Sequence, residues 1–128
     1  MHERSRGRAA LLGALFVGAT TLMACGTGGE SAGTDGGGEA GAKVYAAKCA
    51  ECHGANLEGT SKGPPHLSKV YEPGHHGDAS FRRAIAQGAP AHHWQFGDMP
   101  PVQGMSEADT TAVIAYIRAQ QRQRGFTN

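Results

Sequence analysis

Aromatic residues and strand patterns are scarce in this sequence of 128 residues. Only 6% of the residues are aromatic, there is a single Trp, and 20 residues are Gly. No segment alternates apolar and polar residues in the way that a half-buried β-strand does, and no internal repeat occurs. The pattern predicts an all-α domain with long loops, whose few large apolar side chains make a marginal core by themselves.

The charges and the reactive side chains exclude several functions. The chain has 12 basic and 11 acidic residues, and residues 1–24 hold three Arg and one Glu, so 9 basic and 10 acidic residues remain beyond position 24. A domain this close to neutral is not expected to bind nucleic acid. No acid–base pair and no nucleophile beside a base stands out, so we expect neither an enzyme nor a small-molecule substrate.

An apolar run lies near the N-terminus but is too short to span a bilayer. It covers residues 9–23, about 15 residues against the roughly 20 that a transmembrane helix needs. It is preceded by Arg4, Arg6 and Arg8, as an export signal is. Residues 22–25 (LMAC) resemble a lipobox, which implies a lipoprotein signal peptide at residues 1–24 and a lipid anchor on Cys25. An ordinary signal peptide or an uncleaved N-terminal anchor would give the same topology, with the remaining chain outside the cytoplasmic membrane.

The segment that follows is too rich in glycine to fold. Residues 26–38 contain 7 Gly in 13 positions and no apolar residue larger than Ala. We therefore expect residues 25–38 to form a Cys-anchored tether and residues 39–128 to form the only folded domain. The expected location is the membrane surface facing the periplasm or the cell exterior.

The most specific motif is C-x-x-C-H, formed by Cys49, Cys52 and His53. Two thiols at this spacing suit the two vinyl groups of one haem, and the adjacent imidazole can reach the iron. A zinc knuckle would need further ligands at a similar spacing, and the only other cysteine is Cys25. A redox C-x-x-C motif remains an alternative, although thioredoxin-like folds need a βαβ pattern. The motif indicates one covalently bound haem c.

Helix signals lie on both sides of this motif. Residues 41–48 and 81–87 have helical spacing, and Asp78, Ala79 and Ser80 offer N-caps for the second segment. Ser106 and Asp109 resemble a capping box that opens a last helix, which runs to about Arg122.

The motif and its flanks together resemble a class I cytochrome c domain over residues 39–122. The family has a Gly and an aromatic residue at fixed spacing before the first haem cysteine, matched here by Gly41 and Tyr45. Its last helix carries an aliphatic-Ala-Tyr-aliphatic run, matched by residues 114–117 (IAYI). The resemblance implies a monohaem domain of three to four helices packed around one covalently attached haem.

The resemblance also implies further haem ligands. Met99, followed by Pro100, is similar to the family's axial methionine, whereas Met105 is expected to contact the last helix. A Pro carbonyl holds the proximal histidine in the family, and we expect Pro65 to do so, although the neighbouring Pro64 lies close enough to serve. We expect the ring of Trp94 to pack against the haem and its indole N–H to donate a hydrogen bond to a haem propionate.

Two histidine pairs, His75-His76 and His92-His93, suggest a copper or zinc site together with His66. Adjacent histidines on a loop usually diverge, and no carboxylate is spaced to complete the set. We therefore expect no second metal site, and one of these histidines is a candidate partner for a haem propionate. His92 and His93 also remain alternatives to Met99 as the sixth iron ligand.

These features predict a lipid-anchored monohaem cytochrome that carries single electrons between redox proteins. Two other functions remain open. The domain is short enough to be the electron-entry haem subunit of an oxidase, a reductase or a dehydrogenase. A labile sixth ligand would instead make it a haem-based ligand sensor.

Overall fold

Four α-helices and one short 3₁₀ helix make up the described part of the chain. The structure, a computed structural model, describes residues 38–126. The α-helices are α1 (Gly38–Lys48), α2 (Ala50–His53), α3 (Asp78–Gln87) and α4 (Glu107–Gln123), and the 3₁₀ helix covers Lys69–Tyr71. No strand occurs among these residues, and one isolated antiparallel bridge joins Ala89 to Met99. The all-α fold expected from the sequence is confirmed.

The crossing of α1 and α4 depends on the absence of a side chain at Gly41. A Cβ atom at this position would clash with the backbone carbonyl of Ala112 and would lie 2.6 Å from Cβ of Tyr116. The rings of Tyr45 and Tyr116 pack beside this contact, with centroids 5.5 Å apart. The sequence predicted this arrangement of glycine and tyrosines, and the structure confirms it.

The beginning of α4 is fixed by a capping box. The hydroxyl of Ser106 accepts a hydrogen bond from the backbone N–H of Asp109 at 3.0 Å. In return, the Asp109 carboxylate accepts one from the backbone N–H of Ser106 at 3.2 Å. Two of the N–H groups that a helix N-terminus leaves free are satisfied in this way, as predicted.

The beginning of α3 differs from the expectation. Asp78, which was proposed as an N-cap, is the first helical residue, and Gly77 occupies the cap position without a side-chain hydrogen bond. The Asp78 carboxylate instead accepts a hydrogen bond from Arg118 at 2.7 Å. Asp78 therefore joins α3 to α4 rather than capping its own helix.

The apolar core is small. Seven apolar residues are buried among those described, and they are contributed mainly by α3 and α4: Tyr45, Leu57, Phe81, Ile85, Val113, Ile114 and Ile117. Met105 packs against this cluster, in the role that the sequence suggested. A core this limited leaves the centre of the domain open on one side.

None of the helices within residues 38–126 has the length and the apolarity needed to cross a membrane. The predicted signal peptide, the Cys25 anchor and almost all of the tether lie outside the described residues.

Candidate haem site

A cavity of about 950 Å³ opens beside this core. The C-x-x-C-H motif forms part of its wall, through Cys49, Cys52 and His53. Met99 and Trp94 also line it. The structure thus brings five of the predicted site residues to one cavity.

The backbone explains why the three motif side chains face the same way. The carbonyl of Cys49 accepts hydrogen bonds from the N–H groups of Cys52 (3.1 Å) and His53 (2.9 Å). This pattern is one helical turn, which places positions i, i+3 and i+4 on one face. Because the three residues lie on one turn, a group bound to both sulfur atoms lies next to the imidazole.

The ring of His53 is held by a backbone carbonyl. Its Nδ1 donates a hydrogen bond to the carbonyl oxygen of Pro64 at 2.8 Å. With the proton on Nδ1, Nε2 keeps its lone pair for a metal ion. Desolvation lowers the pKa of His53, outweighing the opposite effect of the Pro64 hydrogen bond, so the neutral ring is favoured.

The prediction that Pro65 holds this ring was wrong by one residue. The Pro65 carbonyl accepts a hydrogen bond from the N–H of Ser68 at 3.1 Å, as part of the turn that follows. Gly63 packs so tightly against Cys52 that a Cβ atom would lie 2.9 Å from the Cys52 carbonyl oxygen. This close approach brings the next residue, Pro64, within reach of His53.

A backbone pairing positions Met99 on the cavity wall. Its N–H donates to the carbonyl of Ala89 at 2.8 Å, and its carbonyl accepts from the N–H of Ala89 at 2.9 Å. Gly88, with a φ of 79°, ends α3 directly beside this bridge. A Cβ atom there would clash with the Met99 carbonyl. The loop that presents Met99 is therefore closed at its base by main-chain contacts.

Aromatic side chains form another wall of the cavity. The indole of Trp94 stacks on the ring of Tyr71, with centroids 5.8 Å apart and planes 19° apart. Tyr71 in turn packs against Phe81 at 5.6 Å. The wall position of Trp94 was predicted from the sequence, whereas that of Tyr71 was not. A tyrosine at the end of a polar loop carries no periodic signal that would have indicated it.

His66 is the second residue whose place the sequence did not indicate. It is 7% exposed, and its ring stacks on that of His53 with centroids 4.0 Å apart. Burial lowers the pKa of His66 well below its usual range, and the neighbouring His53 and Arg118 act in the same direction. His66 is thus a neutral packing group behind His53, separate from the other loop histidines.

Four histidines lie at another part of the cavity wall, where the sequence led us to expect diverging side chains. Nε2 of His75 lies 3.2 Å from Nε2 of His93, and Nε2 of His76 lies 3.2 Å from Nε2 of His92. The expectation of divergence was wrong, because the turn that carries one pair folds onto the loop that carries the other.

The residues around the cavity fit a covalently bound haem. The cavity lining is predominantly apolar, two free thiols lie on it, and one imidazole with an unprotonated Nε2 adjoins them. A thioether lies on the same cavity. These are the sulfur and nitrogen donors that haem c attachment and iron ligation require.

Comparison with known proteins agrees with this site. A family model described as cytochrome c matches residues 38–121. No curated protein and no solved structure matches the chain significantly.

Proposed function

Because this chain belongs to the cytochrome c family, whose members transfer electrons through covalently attached haem c, we propose that it is a lipid-anchored monohaem carrier with His53 and Met99 as axial iron ligands. One observation carries the proposal. Cys49, Cys52 and His53 lie on one helical turn at the wall of the same cavity that Met99 lines. Haem supplies a one-electron iron couple when it is bound.

The two cysteines would hold the haem through thioether bonds. Their positions on one turn would place a bound haem next to His53, whose ring cannot rotate freely because the Pro64 carbonyl accepts a hydrogen bond from its Nδ1. An outer hydrogen bond of this kind orients the ring and makes the coordinating nitrogen a better donor. The chain would thereby hold the His53 ring in one orientation whether the iron is ferrous or ferric.

Met99 would supply the sixth ligand. A thioether is soft and neutral, so it favours ferrous over ferric iron and raises the reduction potential. The bridge between Met99 and Ala89 restrains the backbone that presents the sulfur. With His53 held by Pro64 and Met99 held by its bridge to Ala89, the chain would need little rearrangement between the two oxidation states, which suits outer-sphere transfer between redox proteins.

Membrane attachment through Cys25 completes the proposal and is supported by the N-terminal sequence. The glycine-rich residues 26–38 give a root-mean-square span of about 20 Å, if they behave as a flexible coil. A domain on such a tether would stay near the membrane while turning towards a donor and an acceptor. We therefore place the carrier on the outer side of the cytoplasmic membrane.

Methionine substitutions test the axial ligand. Met99→Ala should abolish the weak sulfur-to-iron band at the red end of the visible spectrum of the oxidised protein, and should let carbon monoxide bind promptly to the reduced form. Met105→Ala is the matched control, because Met105 packs against the core and should leave both properties unchanged. A band that survives in Met99→Ala and disappears in Met105→Ala would refute the assignment, and prompt carbon monoxide binding to the unsubstituted protein would favour a sensor.

A serine at position 25 tests the anchor. The full chain should fractionate with membranes and incorporate labelled fatty acid, whereas Cys25→Ser should incorporate none. Ser31→Ala, in the same glycine-rich segment, is the control and should be labelled like the unsubstituted chain. Labelling of Cys25→Ser, or no labelling of the unsubstituted chain, would contradict lipid anchoring, and neither result bears on the haem site.

A further inference from the structure

We propose that His75, His76 and His93, with His92 as a fourth ligand, form a binding site for a divalent transition-metal ion of the class that prefers imidazole. One nitrogen from each of the first three residues lies within 4.8 Å of those from the other two. The site is additional to the haem iron and does not depend on the proposed electron carrier function.

The distances between the ring nitrogens match a tetrahedral metal centre. Zinc binds histidine nitrogen at about 2.0–2.1 Å, so two nitrogens on one tetrahedral ion lie about 3.3 Å apart. The His75–His93 and His76–His92 pairs each have Nε2 atoms separated by 3.2 Å. Two edges of the coordination polyhedron are therefore already present, and rotations of the exposed His75 and His93 rings would bring the pairs together.

The hydrogen bonds of one pair leave both Nε2 atoms available to a metal ion. Nδ1 of His76 donates to the carbonyl of Val70 at 2.6 Å, and Nδ1 of His92 donates to the carbonyl of Pro90 at 2.8 Å. Since a carbonyl only accepts, both Nδ1 atoms are protonated, and when both rings are neutral two Nε2 lone pairs face each other. A metal ion between them converts a repulsive contact into two coordinate bonds.

The same carbonyls act as outer partners for the proposed ligands. Histidines that bind metal commonly donate their other N–H to a carbonyl or a carboxylate, which fixes the ring. The backbone of His76 is fixed as well, because Arg118 donates to its carbonyl at 2.5 Å.

The donor set selects the class of ion. Neutral imidazoles suit zinc, copper and nickel, whereas calcium and magnesium require oxygen ligands. The ligands come from two separate segments, the turn at residues 75–76 and the loop at residues 92–93. A bound ion would therefore tie this turn to the loop that carries Met99.

The first test is calorimetric titration of the holoprotein with zinc chloride at neutral pH. The full chain is used with its haem, without a polyhistidine tag and after treatment with a chelator. We expect one zinc ion per chain, at least about tenfold weaker affinity for His93→Gln, and no saturable binding for the double variant His75→Gln/His93→Gln. Gln95→Ala, an exposed change in the same loop, should bind zinc like the unsubstituted protein.

Two results of the titration would overturn the proposal. One is the absence of stoichiometric zinc binding. This includes the case in which His93→Gln changes only the reduction potential of the haem, the result expected if His93 contacts a haem propionate. The other is unchanged affinity in the double variant. The haem absorption spectrum of each variant verifies that the domain has folded.

X-ray absorption at the zinc edge provides a second test that needs no substitution. The complex of one zinc ion with the unsubstituted holoprotein should show an imidazole first shell at about 2.0 Å. A shell containing sulfur at about 2.3 Å, or oxygen alone, would exclude the histidine site. The haem iron does not contribute to this signal, so a failure here would not touch the proposed electron transfer.

Discussion

The imidazole of His66 lies almost parallel to that of His53, with centroids 4.0 Å apart and planes 21° apart. Nδ1 of His66 is buried without a hydrogen-bond partner. A buried polar atom that lacks a partner costs about 1–3 kcal/mol. The His66 ring therefore packs against His53, but its unpaired nitrogen lowers the stability of the fold.

Replacing His66 with an apolar residue of similar size should stabilise the holoprotein. We expect His66→Leu to raise the free energy of unfolding by about 1 kcal/mol, because the orphaned nitrogen is removed while the packing against His53 is kept. Denaturant titration followed by haem absorbance measures the change. His66→Gln retains a polar group and loses the ring, so it should be less stable than the unsubstituted protein. A lower midpoint for His66→Leu would contradict this account.

Adding one methyl group at Gly41 should destabilise the domain. Gly41→Ala forces α1 away from the Ala112 carbonyl and from Tyr116, and overpacking of this kind costs about 1–3 kcal/mol. Gly38→Ala is the control in the same helix, since a Cβ atom there meets nothing within 4 Å. Thermal unfolding of both variants decides the matter, and equal melting temperatures would mean that the helix crossing tolerates the methyl group.

Arg118 should be the most costly basic residue to remove from α4. It is 6% exposed, and it donates to the Tyr71 carbonyl and to Gln121 Oε1, each at 2.7 Å. Arg118→Leu leaves the buried Gln121 Oε1 unpaired and removes one of the two donors to the Tyr71 carbonyl, so we expect a loss of about 2–4 kcal/mol.

The control for this change is Arg122→Leu, one turn further along the same helix, where the side chain is exposed. It should alter the free energy of unfolding by no more than about 0.5 kcal/mol. Chemical denaturation of the two holoproteins compares them directly. If both arginines proved equally dispensable, the buried hydrogen bonds would not contribute to folding.

The capping box should contribute measurably to α4. Ser106→Ala removes the acceptor for the Asp109 N–H, and the loss of such a cap typically costs about 1 kcal/mol. Ser61→Ala, in an exposed loop, serves as the comparison and should be neutral. Both midpoints come from the same denaturant titration. A Ser106→Ala variant as stable as Ser61→Ala would show that solvent replaces the cap.

Loss of haem should leave the domain poorly folded. Only seven apolar residues are buried in the described part of the chain, beside a cavity of about 950 Å³, and haem would supply the missing apolar contacts. The double variant Cys49→Ser/Cys52→Ser, which cannot attach haem, should therefore be digested by trypsin much faster than the holoprotein. Equal resistance would mean that the polypeptide core is sufficient by itself.

The parts of the structure that could be predicted are those encoded locally. Helical spacing located the three longer helices, and Ser106 with Asp109 marked the start of the last one because a cap involves residues only three positions apart. Gly41 and Tyr45 were placed by the family resemblance, and close packing explains their residue types.

The features that were missed depend on how distant segments meet. The carbonyl that accepts the His53 hydrogen bond belongs to Pro64 and not to Pro65, because Gly63 lies so close to Cys52. The spacing of residues along the sequence does not reveal this contact. Arg118 resembles a surface residue of an amphipathic helix, yet two of its partners, Asp78 and Tyr71, lie 40 and 47 positions earlier in the chain. The histidine pairs converge for the same reason, since the contact joins residues 16 and 18 positions apart.

The bridge between Ala89 and Met99 closes the base of the loop formed by residues 90–98. Main-chain hydrogen bonds at the base restrain the backbone of Met99, and these bonds do not depend on the side chains of the nine residues between the two. Most of these nine residues line the cavity, but Gln95 is exposed and does not. Substitutions at Gln95 would therefore change the outer surface of the domain while Met99 stays in place, a natural means of altering which proteins the domain recognises.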